Sequence, residues 1–161
     1  MIFYFSVTGN SLYVAQKIYE NQGEELINIS NAMNEMRFSY KLKSDEKVGF
    51  IFPVYFYGIS KIISEFVENL EIKSNIKPFI YLVLTCGSTI GNADKMFEKL
   101  LANRNYNINS TFSITMPNNY ILWYGVPSKE KQLAIFKDTK VQIEEIIKRI
   151  KILMWNLNIR Q

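Results

Sequence analysis

Apolar residues in this chain follow two alternating patterns. Short, near-continuous runs mark buried strands, and longer stretches with an apolar residue every third or fourth position mark helices. Ile2–Phe5 is the first run, aromatic and β-branched, and it stops at Ser6. From Asn10 to about Glu20, Leu12, Ala15, Ile18 and Tyr19 make a helical stripe. Leu26–Ile29 predicts a second strand. Asn31–Glu46 has only isolated apolar residues (Met33, Met36, Phe38, Leu42) and reads as loop with one helical turn. Lys47–Tyr55 is the strongest strand, because Val48, Phe50, Ile51, Phe52 and Val54 leave it no polar face, as in a sheet covered on both sides. Ser60 is placed to cap a helix carrying Ile62, Ile63, Phe66, Val67 and Leu70. Phe79–Leu84 is another buried strand, Asn92–Asn103 a helix, and Thr111–Thr115 a β-rich segment ahead of Pro117. Ser128 opens a long helix striped by Leu133, Phe136, Ile143, Ile146, Ile147, Ile150 and Leu153.

Strands alternating with helices in this way predict an α/β fold: a five-stranded parallel sheet with right-handed crossovers and helices on both faces. No repeat, low-complexity tract or linker interrupts the 161 residues, so 1–161 reads as a single domain. Composition agrees, with 48% hydrophobic and 21% charged residues. The chain has no histidine and one cysteine, Cys86. That excludes histidine-dependent nucleophiles and bases, and a cysteine-built metal site. If such a chain does chemistry, a borrowed cofactor is expected to do it. No apolar run approaches the roughly 18–20 residues of a membrane helix, and the N-terminus lacks the basic segment and cleavage site of a signal peptide. These features point to a cytoplasmic protein with no membrane partner. The net charge of +4 is unevenly placed. Residues 1–126 balance 11 basic against 11 acidic side chains, and residues 127–161 carry 8 against 4.

Three strand ends lead into loops of unusual composition, where a doubly wound sheet binds its ligands. Ser6-Val7-Thr8-Gly9-Asn10-Ser11 joins the first strand to the first helix and gathers hydroxyls, an amide and a glycine at a helix start. With no lysine or arginine, it is not a nucleotide-triphosphate loop. It suits one phosphate held by neutral donors, or an ordinary helix cap. Pro53-Val54-Tyr55-Phe56-Tyr57-Gly58 places three aromatics just past a strand end, where a flat ring can stack. Thr85, Cys86, Gly87, Ser88, Gly91 and Asn92 belong to the third loop, rich in donors. Cys86 lacks the arginine that a Cys-x5-Arg phosphatase loop requires, since position 92 is Asn.

Ser6–Ser11 resembles the [ST]-x-T-G-N-[ST] phosphate loop of the flavodoxin family, and the other two loops fall where that family flanks its flavin. FPVYFYGIS and MPNNYI (Met116–Ile121) are similar to segments of the flavodoxin-like modules that precede two-cluster ferredoxin domains in anaerobic bacteria. The chain departs from those modules in carrying no cysteine clusters, and from ordinary flavodoxins in being basic. The resemblance implies strand order 2-1-3-4-5 and non-covalent FMN. Ser6, Val7, Thr8, Gly9, Asn10 and Ser11 would take the phosphate and Tyr55 or Phe56 would stack on the ring. Pro53–Gly58 and Thr85–Asn92 would surround its polar edge, with Tyr120 nearby. Gly58 would supply backbone freedom beside the flavin. The implied role is electron transfer between a reductase and a terminal enzyme, with redox proteins, iron–sulfur proteins among them, as partners. Two rivals stand beside it: a flavin-dependent NAD(P)H reductase on the same fold, and a flavin-free binding domain. Nucleic-acid binding has no motif to support it.

Overall fold

The computed structural model describes residues 1–43, 46–117 and 128–158, with side chains through Met154 in the last helix. In chain order the elements are β1 (Ile2–Tyr4), α1 (Asn10–Gln22), β2 (Leu26–Asn28), α2 (Ile29–Asn34), β3 (Ser39–Lys41) and β4 (Val48–Pro53). They continue with α3 (Lys61–Asn69), β5 (Glu71–Lys73), β6 (Ile80–Cys86), α4 (Ala93–Asn103), β7 (Ser110–Thr115) and α5 (Lys129–Asn158). Five strands form a wholly parallel sheet in the order β2-β1-β4-β6-β7. Counting those five alone, the order is 2-1-3-4-5, as expected.

Side-chain alternation along each strand divides the core between the two faces of the sheet. Phe3, Phe50, Phe52, Leu82 and Leu84 point to one face, where Ile63, Phe66 and Phe97 meet them. Ile2, Ile51, Tyr81 and Val83 point to the other, packing on Val14, Ala15 and Ile18 of α1 and Ile143, Ile146, Ile147 and Ile150 of α5. The first face is knit by aromatic pairs: Phe3 stacks on Phe50 at 5.3 Å, and Phe97 lies edge-on to Phe50 and Phe52 at 5.0 and 4.9 Å. Each such pair adds about 0.5–1.5 kcal/mol beyond area burial.

Three local expectations change. The stretch 31–46 has its helical turn in the end of α2, but it also carries β3, which pairs in parallel with β5 as a separate two-stranded sheet. Only the middle residue of each short strand faces inward, Tyr40 and Ile72, so neither leaves an apolar run in the sequence. The buried face of α1 consists of Ser11, Val14, Ala15 and Ile18, while Tyr19 is turned outward. Ser60 occupies the N-cap position of α3, yet its hydroxyl makes no capping bond and is buried without a partner.

One close approach decides how β4 and β6 fit together. Gly49 stands opposite Tyr81 in the register, and a Cβ on Gly49 would overlap the Tyr81 ring. The ring is fully buried and its hydroxyl has no hydrogen-bond partner among the described residues. Gly49→Ala is therefore expected to lower unfolding stability by about 1–3 kcal/mol through overpacking. Tyr81→Phe keeps the ring and removes the orphaned hydroxyl, and should leave stability unchanged or raise it by about 1 kcal/mol. Urea denaturation of both variants checks the pair.

Candidate functional site

The chain leaves β1 toward β2 on one side and reaches β4 on the other, so the loops after β1 and β4 diverge at the carboxyl edge of the sheet. Between them, and against the loop after β6, lies a cavity of about 500 Å³. This is within the usual range of a small-molecule site. It is lined by Ser6, Val7, Thr8, Asn10 and Ser11 from the first loop and by Pro53, Val54, Tyr55, Phe56 and Tyr57 from the second. Thr85, Cys86, Gly87, Ser88 and Thr89 close it from the third, with Met116 and Pro117 beyond β7. Thirteen of the residues singled out from sequence thus share one cavity wall. Tyr57, Thr89, Met116 and Pro117 join them. Among the lining residues there is no Asp, Glu, Lys or Arg.

The first loop is shaped around an open helix end. Gly9 holds φ +94° at the N-cap of α1, a left-handed conformation that glycine takes without a steric penalty, and no side chain caps the helix there. Gly9 has no side chain to cap them, so the first-turn N–H groups and the positive end of the helix dipole lie at the wall that Asn10 and Ser11 give the cavity. Ser6 stiffens the approach by accepting the Gly9 N–H at 3.2 Å. The side chains of two of the expected phosphate donors also have framework duties. The Asn10 side-chain amide donates to the Pro117 carbonyl at 3.2 Å, tying the loop to the segment after β7. The Ser11 and Thr85 hydroxyls share a buried hydrogen bond of 2.7 Å that fixes the start of α1 to the end of β6.

The second loop is a two-residue hairpin. Tyr55 and Gly58 exchange backbone hydrogen bonds of 3.1 and 2.9 Å around Phe56 and Tyr57. Those two aromatics carry φ +47° and +62°, the signature of a type I′ turn, which ordinarily selects Asn-Gly. The left-handed strain thus falls on Phe56 and Tyr57, not on Gly58 as the sequence suggests. It costs about 1–2 kcal/mol per residue. Gly58 instead makes room for α4: a Cβ there would come within 3.3 Å of the Met96 sulfur. The turn also presents Phe56 and Tyr57 at 90% and 66% exposure.

The third loop holds this turn in place. Gly91 has φ +55°, and a Cβ on it would overlap the Tyr57 side chain and lie 2.9 Å from the Tyr57 carbonyl oxygen. The Asn92 N–H donates to that same carbonyl at 3.2 Å. Gly91 and Asn92 are therefore supports behind the cavity, not part of its lining. Cys86 is 9% exposed, and burial pushes its thiol up, partly offset by a hydrogen bond from the Ser88 backbone. A protonated, enclosed thiol is a packing group rather than a nucleophile. Burial likewise raises the Tyr55 phenol, which stays neutral. Tyr120 lies outside the described residues.

A family model described as the flavodoxin domain matches residues 1–116. No curated protein matches the chain. Among solved structures, it is similar to a Fusobacterium nucleatum flavodoxin bound to flavin mononucleotide, at 14% identity and TM-score 0.54, over 93% of this chain and 95% of that one. A Streptococcus pneumoniae flavodoxin superposes with TM-score 0.51 at 11% identity, over 89% and 96% of the two chains. An FMN-dependent NADH-azoreductase from Bacillus anthracis, in complex with FMN, gives TM-score 0.54 at 9% identity, over 92% and 98%. At such identities the structures establish the shared fold, and the family assignment rests on the match that spans β1 to the end of β7 and all three cavity loops. This chain belongs to the flavodoxin domain family.

Proposed function

We propose that this protein binds FMN non-covalently and carries electrons between a reductase and a terminal redox enzyme. The observation that carries the reading is the uncapped, glycine-turned start of α1 opening into a cavity free of charged side chains, opposite an exposed aromatic turn. A phosphate fits the first feature and a flat, apolar ring fits the second. The α1 backbone N–H groups, with Ser6 and Thr8, would hold the phosphate. Tyr55 or Phe56 would stack on the ring, while backbone between Gly87 and Thr89 faces its polar edge. The flavin, when bound, supplies reversible electron chemistry, and the chain supplies position, exclusion of water and local polarity.

The fold likeness to an NADH-azoreductase supports a second reading, in which bound flavin takes hydride directly from a nicotinamide cofactor. Mixing the flavin-loaded protein with NADH or NADPH under anaerobic conditions separates the two. A carrier keeps its yellow colour over minutes, and a reductase bleaches within its turnover time.

Fluorescence titration with FMN and riboflavin tests the site itself. FMN should bind at least about tenfold more tightly, because hydrogen bonds to a charged group contribute about 1.5–3 kcal/mol each. Equal affinities would overturn the phosphate assignment. Thr8→Ala should weaken FMN by about 0.5–1.5 kcal/mol while leaving riboflavin unchanged. Gly91→Ala acts at the ring end of the site. By displacing Tyr57 it should weaken FMN and riboflavin alike, by about 1–3 kcal/mol, and the strained φ and overlap should also lower unfolding stability in urea by about 1–3 kcal/mol.

A further inference from the structure

The buried hydroxyl pair between α1 and β6 carries one hydrogen more than it uses. Ser11 is the second residue of α1, so its N–H is one of the first-turn donors without an intrahelical partner. Thr85 stands next to the end of β6. Tyr81 and Val83 of that strand pack on the face that α1 covers, and alternation puts the Thr85 side chain on the same face. There its hydroxyl meets that of Ser11 at 2.7 Å. Ser11 and Thr85 are 1% and 3% exposed, and both line the cavity.

Each hydroxyl brings one hydrogen and an oxygen that can accept. The shared bond uses one of the two hydrogens, whichever oxygen donates. Neither hydroxyl makes another hydrogen bond among the described residues. One O–H is therefore left to donate in a place almost closed to bulk water, where an unmade hydrogen bond is costly. The two arrangements of the pair direct it differently. With Ser11 donating to Thr85, the spare hydrogen is on Thr85. With Thr85 donating to Ser11, it is on Ser11, at the helix end that no side chain caps. An anion at that end selects the second arrangement, because Ser11 can donate to it only when not donating to Thr85. A hydroxyl that is itself accepting a hydrogen bond also donates more strongly.

Thr85 is built to be the fixed end of such a chain. Its backbone pairs with Pro53 of β4 on one side and Ile114 of β7 on the other, and its carbonyl accepts the Val54 N–H at 2.9 Å. Its β-branch restricts χ1, so the sheet sets the direction of the hydroxyl.

We propose that Thr85 determines specificity for the phosphate group by acting through Ser11: it donates to the Ser11 oxygen and so turns the Ser11 hydrogen toward the anion. Thr85 is then a positioning residue whose side chain serves the phosphate end of the cavity, not the polar edge of the ring. The inference rests on the phosphate assignment made above. It holds in the same form for the phosphate of FMN and for free phosphate.

The test titrates the full chain with FMN and with riboflavin, in Thr85→Val, Thr85→Ser, Ser11→Ala and the double variant Ser11→Ala, Thr85→Val. Valine keeps the β-branched shape and removes the hydroxyl. Thr85→Val should weaken FMN at least about threefold and riboflavin less than about twofold, since only the phosphate uses the lost hydrogen bond. Thr85→Ser retains the hydroxyl and should stay within about twofold of the native chain for both flavins. Because Thr85 acts through Ser11, the double variant should bind FMN within about twofold of Ser11→Ala alone. Equal losses of FMN and riboflavin in Thr85→Val, or losses that multiply in the double variant, would overturn the proposal and leave the bond as a staple between α1 and β6. A second measurement starts from the native, flavin-free chain: inorganic phosphate should shift the Thr85 methyl resonance, and Ser11→Ala should abolish that shift. A Thr85 methyl that stays put while the α1 amides move would also overturn it. If riboflavin binds as tightly as FMN, yet phosphate still moves the Thr85 methyl through Ser11, the flavin reading fails and the hydroxyl pair stands. If FMN is preferred at least about tenfold and Thr85→Val lowers both flavins alike, the flavin reading stands and the role of Thr85 fails.

Discussion

Everything at the cavity depends on the reversal of strand order at β1. A parallel sheet buried on both faces offers no surface for a ligand except its edges, and its carboxyl edge opens only where consecutive connections leave in opposite directions. Here the chain turns from β1 to β2 and then returns to β4 on the far side, which parts the first two loops. The aromatic packing of Phe3, Phe50, Phe52 and Phe97 keeps β1 and β4 rigid beneath that opening. The buried bond between Ser11 and Thr85 then fixes where α1 starts relative to β6. The cavity is thus a consequence of topology, and its dimensions are set by core packing below it.

Electrostatically the site works by backbone rather than by charge. With no lysine or arginine in the lining, an anion there meets N–H dipoles at the α1 terminus and the hydroxyls of Ser6 and Thr8. Such an arrangement offers an anion neutral donors alone and places no full positive charge in the described lining. The basic excess of the sequence lies instead in residues 127–161, and the described lysines and arginine of α5 are exposed.

The aromatic turn is the one place where backbone strain is visible at the site. Two successive aromatics in left-handed conformations are held because neighbours leave them no alternative: Tyr55 and Gly58 close the hairpin, and Gly91 and Asn92 grip the Tyr57 backbone. Strain of this kind persists when the surroundings over-determine it. It sets the backbone from which Phe56 and Tyr57 project at the cavity wall.

The sequence by itself determined the sheet, its helices and the three loops that line the cavity, because long apolar runs and helical stripes are local patterns with one reading each. Lys47–Tyr55 and the stripe on α5 are the clearest cases. The loop Ser6–Ser11 was legible as part of a site for the same reason, since its residues are contiguous. Tertiary structure alone decided what had no local signature. The three-residue strands β3 and β5 exist because Tyr40 and Ile72 find the core, and each contributes a single buried side chain that no periodicity reveals. The hydroxyl of Ser11 and the amide of Asn10, donors by composition, are occupied by Thr85 and Pro117 from far along the chain. Likewise the positive φ that Gly58 seemed to invite falls on Phe56 and Tyr57, because Gly91 and Asn92 lock the hairpin from the third loop. Local pattern specifies which residues reach the carboxyl edge. Contacts between loops distant in sequence decide which of their groups remain available to a ligand.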